Sequence, residues 1–327
     1  MKNKILAVLF LAVFLLSGCF ESNLNKEVSQ TKLEEYKNPP RIFFCPKDDC
    51  EYEILDVLTK AEQSVHCAFY DLDVESIISL LDEKNKKIDV KLVVDEDNFK
   101  FVEHLDFARN AKHYALMHNK FCIIDDKVVL TGSTNPTENG INKNNNNIVI
   151  IESDYLSENY ENEFKELWNY TYGKGEKVKH PEIYINNNKV SSYFCPEDNC
   201  AYHVKEEIKK ANKSIYFMTF SFTDPGIATA LVLMNYKGVE VKGIMEARQV
   251  TKYSKFNLLE YQGIDVIRDK NKANMHHKVF IIDNKTVITG SFNPTKNADK
   301  RNDENILIIE DEKIAKEFLD EFEILYN

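Results

Sequence analysis

A group of polar residues suited to phosphate chemistry occurs twice in this chain at the same internal spacing. Each copy has a histidine, a lysine two positions later and an aspartate five positions after the lysine: His118, Lys120 and Asp125, then His276, Lys278 and Asp283. An imidazole can attack phosphorus or transfer protons, and an ammonium can neutralise a phosphate oxygen. The repeat therefore predicts one phosphodiester site assembled from two halves.

A Gly-Ser-x-Asn segment follows each copy at matched spacing. Its polar side chains are Ser133 and Asn135 in the first copy, and Ser291 and Asn293 in the second. Such donors can orient non-bridging phosphate oxygens, so we predict that all four bind substrate. We place both motif aspartates in the catalytic set, although their position at a hairpin turn also suits a structural role.

The elements around the motifs follow one order in both halves. On a strand, a histidine and a lysine two positions apart project from the same face. Each motif continues into an apolar hairpin, predicted at 121–124 and 128–131 in the first half, and each half ends in an amphipathic helix, at 154–170 or 311–326. Alternating strands and helices predict an α/β fold with two repeated sandwich domains, mixed sheets and a pseudo-two-fold axis.

Through the runs HNKFCIID with GSTN and HHKVFIID with GSFN, the chain resembles the phospholipase D superfamily from about Arg41 to its C-terminus. The resemblance implies two domains, 41–172 and 191–327, joined by a linker at 173–190, in a monomer whose halves share one active site. It also implies that one histidine attacks phosphorus while the other protonates the leaving alcohol and then activates water. By analogy with two-motif members, His118 is the nucleophile and His276 the general acid; the reverse order stays open.

Members of this superfamily often carry an acid downstream of the Gly-Ser-x-Asn segment that orients a histidine. Glu304 occupies that place in the second half, and Asn146 occupies it in the first. An amide can accept a hydrogen bond from an imidazole but cannot stabilise an imidazolium by charge, so the two histidines should differ in basicity. We count Glu304 among the residues of the substrate site and expect it to reach across the interface to His118. The asparagine-rich run 142–147 is predicted to be a solvated loop at the cleft rim.

The N-terminal segment is typical of an export signal. Two lysines, an apolar stretch too short to span a bilayer, and small residues precede Cys19. Leu16-Ser17-Gly18-Cys19 resembles the lipobox of prokaryotic lipoproteins, which implies removal of residues 1–18 and a lipid on the Cys19 thiol. A plain signal peptide or an uncleaved anchor is the alternative. Residues 19–40 would then tether the protein to the extracytoplasmic side of the cell membrane.

Six further cysteines lie beyond the signal. Export favours local disulfides within two Cys-Pro-x-Asp-x-Cys loops, joining Cys45 to Cys50 and Cys195 to Cys200. The alternative is a four-cysteine metal site shared between the halves, although the spacing matches no common zinc pattern. Cys67 and Cys122 lie in apolar strands and are predicted to be buried thiols.

The net charge bears on the substrate. With 42 Lys plus Arg against 53 Asp plus Glu, the chain carries −11, which repels polyanions at long range. We therefore predict a phosphodiesterase that hydrolyses phospholipids through a phosphohistidine, without metal or cofactor. The alternatives are a metal-independent endonuclease and a phosphatidyltransferase. A noncatalytic binding protein is disfavoured because both motifs are complete.

Overall fold

The computed structural model describes residues 32–327, which form one compact unit. The predicted signal peptide at 1–18, the lipidation site at Cys19 and the first part of the predicted tether lie outside the described residues. Among the helices of 32–327, none combines the length and apolarity that crossing a bilayer requires.

The strands and helices of the first half follow the predicted order, with further strands that were not predicted. They are, in chain order, β1 (Glu34–Glu35), β2 (Arg41–Cys45), α1 (Cys50–Thr59), β3 (Ser64–Phe69), α2 (Glu75–Asn85), β4 (Asp89–Asp95), β5 (Ala108–Ala111), β6 (Lys120–Ile124), β7 (Val128–Gly132), α3 (Glu138–Asn142), β8 (Asn146–Glu152) and α4 (Asp154–Trp168). A short 3-10 helix, Phe99–Phe101, follows β4.

The second half repeats this order with one helix added, Phe256–Tyr261. Its elements are β9 (Glu182–Ile185), β10 (Asn188–Cys195), α5 (Cys200–Lys210), β11 (Ser214–Thr219), α6 (Pro225–Tyr236), β12 (Glu240–Met245), α7 (Phe256–Tyr261), β13 (Asp265–Arg268), β14 (Lys278–Ile282), β15 (Thr286–Gly290), α8 (Lys296–Lys300), β16 (Glu304–Glu310) and α9 (Glu312–Tyr326). A 3-10 helix, Ala247–Gln249, follows β12, as in the first half.

Each half builds one mixed sheet with the same strand arrangement. The first sheet has the order β2-β8-β7-β6-β3-β4-β5, and the second has β10-β16-β15-β14-β11-β12-β13 with β9 and β1 added at one edge. In both, the last three strands are parallel to one another, and the remaining pairs are antiparallel except for the parallel pair β1–β9. The prediction of two repeated α/β domains with mixed sheets is confirmed.

Apolar side chains on both faces of each sheet explain the layering. One core lies between the sheets and contains Phe121 and Val279 of the motif hairpins with Phe164 of α4 and Phe318 of α9. A second core lies under α1 and α2, and a third under α5 and α6. Strands covered on both faces are apolar throughout, and each fully buried large side chain stabilises the fold by about 1.5–3 kcal/mol. The central core therefore holds the two sheets, and the motifs on them, in fixed relation.

Two segments predicted as connectors are partly strands. Within the predicted tether 19–40, Glu34–Glu35 pairs in parallel with β9, and the Glu35 carboxylate accepts hydrogen bonds from the Ser153 hydroxyl and the Asp154 amide at the start of α4. The predicted linker 173–190 contains β9 and the start of β10. Glu34–Glu35 and β9 were missed because they are short strands at one edge of the sheet.

The cysteines of the two Cys-Pro loops are paired as disulfides, Cys45 with Cys50 and Cys195 with Cys200. None of these four thiols is then left to bind a metal. The prediction that Cys67 and Cys122 are free thiols is wrong, because they too form a disulfide. They face each other in register on the antiparallel strands β3 and β6, and strand register is not readable from sequence spacing.

Candidate active site

The two motif histidines line one cleft at the meeting of the halves. The cleft has a volume of about 680 Å³, and His118 and Asn135 of the first half face it together with His276 and Asn293 of the second. The sequence repeat therefore forms one composite site, as predicted.

Backbone hydrogen bonds between the halves hold each histidine in place. The amide of His118 donates to the carbonyl of Asp303, 2.9 Å away, just before β16. Reciprocally, the amide of His276 donates to the carbonyl of Asn145, 2.8 Å away, just before β8. Each half thus positions the other's histidine, and the site is incomplete in either half alone.

The two imidazoles have different partners. Nδ1 of His118 lies 2.7 Å from Oε2 of Glu304, whereas Nδ1 of His276 lies 2.8 Å from Oδ1 of Asn146. The Asn146 amide is oriented by donating to the Gly140 carbonyl at 2.8 Å, so its oxygen faces the ring. With Nδ1 of each ring engaged, Nε2 is the nitrogen left for reaction with a substrate.

Burial and charge set the protonation of this pair. Burial, reinforced by the ammonium groups of Lys120 and Lys278, lowers the pKa of both His118 and His276 well below its usual value. Burial raises the pKa of Glu304 to about 7, opposed by the same lysines. A carboxylate 2.7 Å from Nδ1 stabilises an imidazolium and an amide does not, so His118 is the more basic of the two rings.

The lysines are buried beside the histidines. Lys120 Nζ donates to the His118 carbonyl and Lys278 Nζ to the His276 carbonyl, each at 2.7 Å. Burial lowers the pKa of Lys120 to about 7, and burial with repulsion from Lys120 lowers the pKa of Lys278 well below its usual value. A bound phosphate anion would reverse these shifts by supplying negative charge.

The serines predicted to bind substrate lie behind the cleft. Ser133 and Ser291 are fully buried. The Ser291 hydroxyl donates to Oε2 of Glu304 at 2.7 Å, and the Ser133 hydroxyl donates to Oδ1 of Asn146 at 3.2 Å. They position the partners of the histidines, whereas Asn135 and Asn293 do line the cleft.

The glycines before these serines are required by close backbone approach. Gly132 and Gly290 have φ of 141° and 137°, and a Cβ at either would overlap the carbonyl of Asn147 or Asn305 on the neighbouring strand. Only glycine adopts this conformation without strain. The Gly-Ser pair therefore brings the serine hydroxyl within reach of the strand that carries Asn146 or Glu304.

The two motif aspartates lie away from the cleft, contrary to their predicted catalytic role. Asp125 and Asp283 have φ of 55° and 54° in the hairpin turns, five residues beyond the lysines, or about 16 Å along a strand. The Asp125 carboxylate accepts three backbone amides at 62–64, and Asp283 accepts those at 212–214. Each ties its hairpin turn to the start of the neighbouring strand.

The asparagine-rich run 142–147 is only in part the solvated loop that was predicted, because its first residues are exposed and its last two are not. Asn146 and Asn147 are fully buried at the start of β8. Asn147 Nδ2 donates across the interface to the Thr289 hydroxyl at 2.8 Å. The matching position of Glu304 in the second half was the available signal, because equivalent residues of a repeat occupy equivalent environments.

Four further site residues were not identified from the sequence. Tyr70 and Phe220 follow β3 and β11, and their rings lie 5.0 and 4.7 Å from the rings of His118 and His276. The carboxylates of Asp95 and Glu246 accept the amides of Met117 and Met275, each at 2.8 Å, which fixes the residue preceding each histidine. Both pairs end matched strands, so alignment of the two halves could have revealed them.

The sequence is similar to those of known proteins. The family model described as cardiolipin synthase, PLD-like domain, matches residues 54–168 and 204–326. A phospholipase D of Rickettsia conorii is 41% identical over 145 residues, covering 44% of this chain and 72% of the relative. The mitochondrial cardiolipin hydrolase of Mus musculus is 38% identical over 118 residues, covering 36% of this chain and 53% of the relative.

A solved structure supports the fold over most of the chain. The phosphatidylserine synthase of Haemophilus influenzae superposes with a TM-score of 0.65, covering 87% of this chain and 86% of that one, at 14% identity. At this identity the likeness is one of fold alone. Since the family model matches both halves, including both motif histidines, the chain belongs to the cardiolipin synthase, PLD-like domain family and is a phospholipase D-like phosphodiesterase.

Proposed function

We propose that this protein hydrolyses phospholipids at a membrane surface through a covalent phosphohistidine on His118. The observation that carries the proposal is the unequal pair at one cleft, His118 against a carboxylate and His276 against an amide. A ring that becomes positively charged on phosphorylation needs a negative partner, and Glu304 supplies it.

The reaction has two displacements. In the first, Nε2 of His118 attacks phosphorus, the bond from phosphorus to the head-group oxygen breaks, and protonated His276 gives its Nε2 proton to the leaving alcohol. In the second, neutral His276 takes a proton from water, the resulting hydroxide attacks phosphorus, and the N–P bond breaks. The products are the head-group alcohol and phosphatidic acid, and both histidines regain their starting protonation.

The lysines and cleft asparagines stabilise charge on phosphorus. Burial lowers the pKa of Lys120 and, with repulsion from Lys120, that of Lys278. The negative charge of a bound phosphodiester favours the protonated form of both lysines. The side chains of Asn135 and Asn293 face the same cleft and are placed to donate to non-bridging oxygens. Donors held in place before the reaction cost no reorganisation in the transition state.

The choice of phospholipid rests on relatives and charge. A rickettsial relative is named phospholipase D and mammalian relatives are named mitochondrial cardiolipin hydrolase. The net charge of −11 opposes long-range attraction of nucleic acid. The lipobox-like segment ending at Cys19 supports a lipid anchor on the extracytoplasmic side of the membrane, which would hold the cleft near its substrate.

The test compares substrates on the folded unit 32–327. We expect release of head group from phosphatidylcholine or phosphatidylglycerol vesicles, loss of this activity in His118→Ala, and no cleavage of single-stranded DNA in parallel. Cleavage of DNA alone would refute the phospholipid assignment and favour a nuclease. Transfer of phosphatidyl to added glycerol in preference to water would instead favour a phosphatidyltransferase.

A further inference from the structure

Three glutamates from both halves of the chain meet outside the cleft. Glu163 and Glu166 belong to α4 and Glu197 to the second Cys-Pro loop, and one carboxylate oxygen of each lies within 4.8 Å of the others. None of them lines the cleft that holds His118 and His276. Glu163 and Glu166 instead line a separate cavity of about 350 Å³. The proposed reaction makes no use of this cluster.

The second copy of the repeat gives an internal comparison for the cluster. Glu321 is the equivalent of Glu163, and Lys47 of the first Cys-Pro loop is the equivalent of Glu197. There, Lys47 Nζ lies 3.5 Å from Oε2 of Glu321, and His277 Nε2 lies 3.7 Å from Oε1 of the same carboxylate. In residues 32–327, by contrast, none of the three clustered glutamates forms an ion pair with a lysine, arginine or histidine. One copy therefore has an ammonium where the other has a carboxylate facing a carboxylate.

Two buried oxygens beside the cluster lack a hydrogen-bond partner within the described part of the chain. Asn119, the equivalent of His277, is fully buried, and its carboxamide faces the cluster: Nδ2 donates to Oε1 of Glu163 at 3.1 Å, while Oδ1 is unpartnered. Asp303 is 3% exposed, and its Oδ2 is unpartnered too. Burial, followed by repulsion from Glu197 and Asp303, raises the pKa of Glu163 well above its usual value. Buried oxygens without donors are the groups that a hard cation takes as ligands.

The linker between the halves passes close to the cluster without covering it. The amide of Glu176 donates to Oε1 of Glu166 at 3.0 Å. At Gly175, a Cβ would lie 2.0 Å from Oε2 of Glu166 and 3.2 Å from Oε1 of Glu197. A glycine at this position therefore leaves both oxygens free of a covering side chain. The lysines that line the same cavity are all exposed, namely Lys165, Lys177 and Lys179.

We propose that the three glutamates bind one calcium ion, which takes the place that the Lys47 ammonium holds in the other copy. Every available ligand is an oxygen, whereas zinc and copper favour histidine or cysteine. Calcium accepts carboxylate and amide oxygens in flexible geometry, while magnesium demands a nearly regular octahedron. Because the ligands come from α4 of the first half and a loop of the second, the ion would join the halves. It would stabilise the fold and take no part in the reaction.

The first test is calcium binding to residues 32–327, measured by isothermal titration calorimetry after EDTA treatment and dialysis. We expect wild type to bind one calcium per chain. Glu197→Gln removes one ligand charge with little change in volume, so its affinity should fall about tenfold or more. Glu197→Lys supplies the ammonium found in the other copy and should bind no calcium. The matched control, Glu103→Gln, removes an exposed acid elsewhere and should bind as wild type does.

Thermal unfolding gives an independent readout of the same site. Calcium at about 100 times its Kd multiplies the ratio of folded to unfolded chains about 100-fold, which raises the Tm of a chain of this size by about 4 °C. Glu103→Gln should keep this rise, and Glu197→Gln should lose it. Glu197→Lys should unfold in EDTA at a higher temperature than wild type in EDTA, because its ammonium neutralises the remaining glutamates.

The outcomes decide the proposal without reference to the substrate of the cleft. Wild-type protein that binds no calcium at millimolar concentration overturns it, and so does a Glu197→Gln variant that binds calcium as tightly as wild type. Binding of magnesium without binding of calcium contradicts the assignment of the ion. A variant without a cooperative thermal transition is not folded, and Glu166→Gln then replaces it. Because binding and Tm are measured without lipid, failure of phospholipid hydrolysis would leave these results unaffected.

Discussion

Substituting Glu304 by glutamine removes one negative charge from the site with almost no change in volume. Oε2 of Glu304 meets Nδ1 of His118 at 2.7 Å and accepts the Ser291 hydroxyl, while Oε1 accepts Nδ2 of Asn302 at 3.1 Å. A glutamine can keep its oxygen towards His118, provided that the Asn302 amide turns to present its oxygen. The variant therefore tests charge rather than shape.

The magnitude follows from the distance between charges. Phosphorylated His118 with Nδ1–H is a cation, and its charge centre lies about 4 Å from the carboxylate. At an effective dielectric constant of about 20, the attraction is about 4 kcal/mol, or roughly a thousandfold in rate. The glutamine oxygen still accepts a hydrogen bond worth about 1 kcal/mol, so we expect kcat to fall about 10²-fold to 10³-fold.

The matched reverse variant, Asn146→Asp, adds the same charge beside His276. In kcat/KM, activity requires neutral His118 and protonated His276. Because His118 is the more basic ring, the pKa of His276 sets the acid limb and that of His118 the alkaline limb. Glu304→Gln lowers the pKa of His118 and moves the alkaline limb to lower pH. Asn146→Asp raises the pKa of His276 and moves the acid limb to higher pH.

The pH profile is measured with a short-chain phospholipid, whose head-group alcohol needs a proton to leave, and the covalent intermediate is detected by quenched flow with a nitrophenyl phosphodiester. Nitrophenolate leaves without protonation, so His276→Ala should give a burst of one equivalent and then stall, with phosphorus on His118. His118→Ala should give no burst. A burst in His118→Ala, or an acid-limb shift in Glu304→Gln with the alkaline limb unmoved, would refute the assignment of roles.

Further expectations concern fold, pH and anchoring. Activity of unit 32–327 should survive EDTA, because the proposed steps use only side chains; complete loss on chelation would contradict the mechanism. Gly290→Ala should lower both Tm and kcat, since its Cβ overlaps the Asn305 carbonyl and displaces Ser291. Burial raises the pKa of Glu197 to about 7, so the folded state holds a proton that the unfolded chain loses near 4.5, and stability should fall as pH rises between these values. Glu197→Gln should reduce that fall, which Glu304 also causes, and raise Tm at pH 8 by about 2–4 °C per kcal/mol regained; a calorimetric Tm that follows the wild-type pH profile would contradict this. Full-length Cys19→Ala should appear in the soluble fraction on cell fractionation, whereas membrane retention equal to wild type would argue against lipidation at this thiol.

Much of the architecture could be predicted because it depends on local residue patterns, and these patterns occur twice in the chain. The period of apolar residues identified the motif hairpins and the closing helices α4 and α9, and repetition required that both halves take the same fold. Among the strands missed were β1 and β9 at the sheet edge and β8 behind an asparagine-rich start. Those segments lack a long apolar run, so local pattern alone does not distinguish them from loops.

Some properties of the site could likewise be predicted from local sequence, and others could not. Residue types and spacing identified His118, His276 and the two lysines, and matching the halves singled out Glu304 against Asn146. Position along the chain did not reveal that Ser291 lies behind Glu304, nor that Asp125 faces the opposite end of its hairpin. A motif shows only that residues lie close together in sequence. On a strand, residues five positions apart lie about 16 Å from each other.

The sequence by itself determined the chemistry available to this protein: two histidines, two lysines and one acid in a repeated α/β frame. The sequence also predicted that Glu304 reaches His118, which the structure confirms. Only the tertiary structure decided which residues line the cleft and how the backbone of each histidine is held. The backbone bonds from His118 to Asp303 and from His276 to Asn145 cross between the halves. Such contacts depend on strand register and on how the two sheets pack through a common core, and neither is a property of any local stretch of the chain.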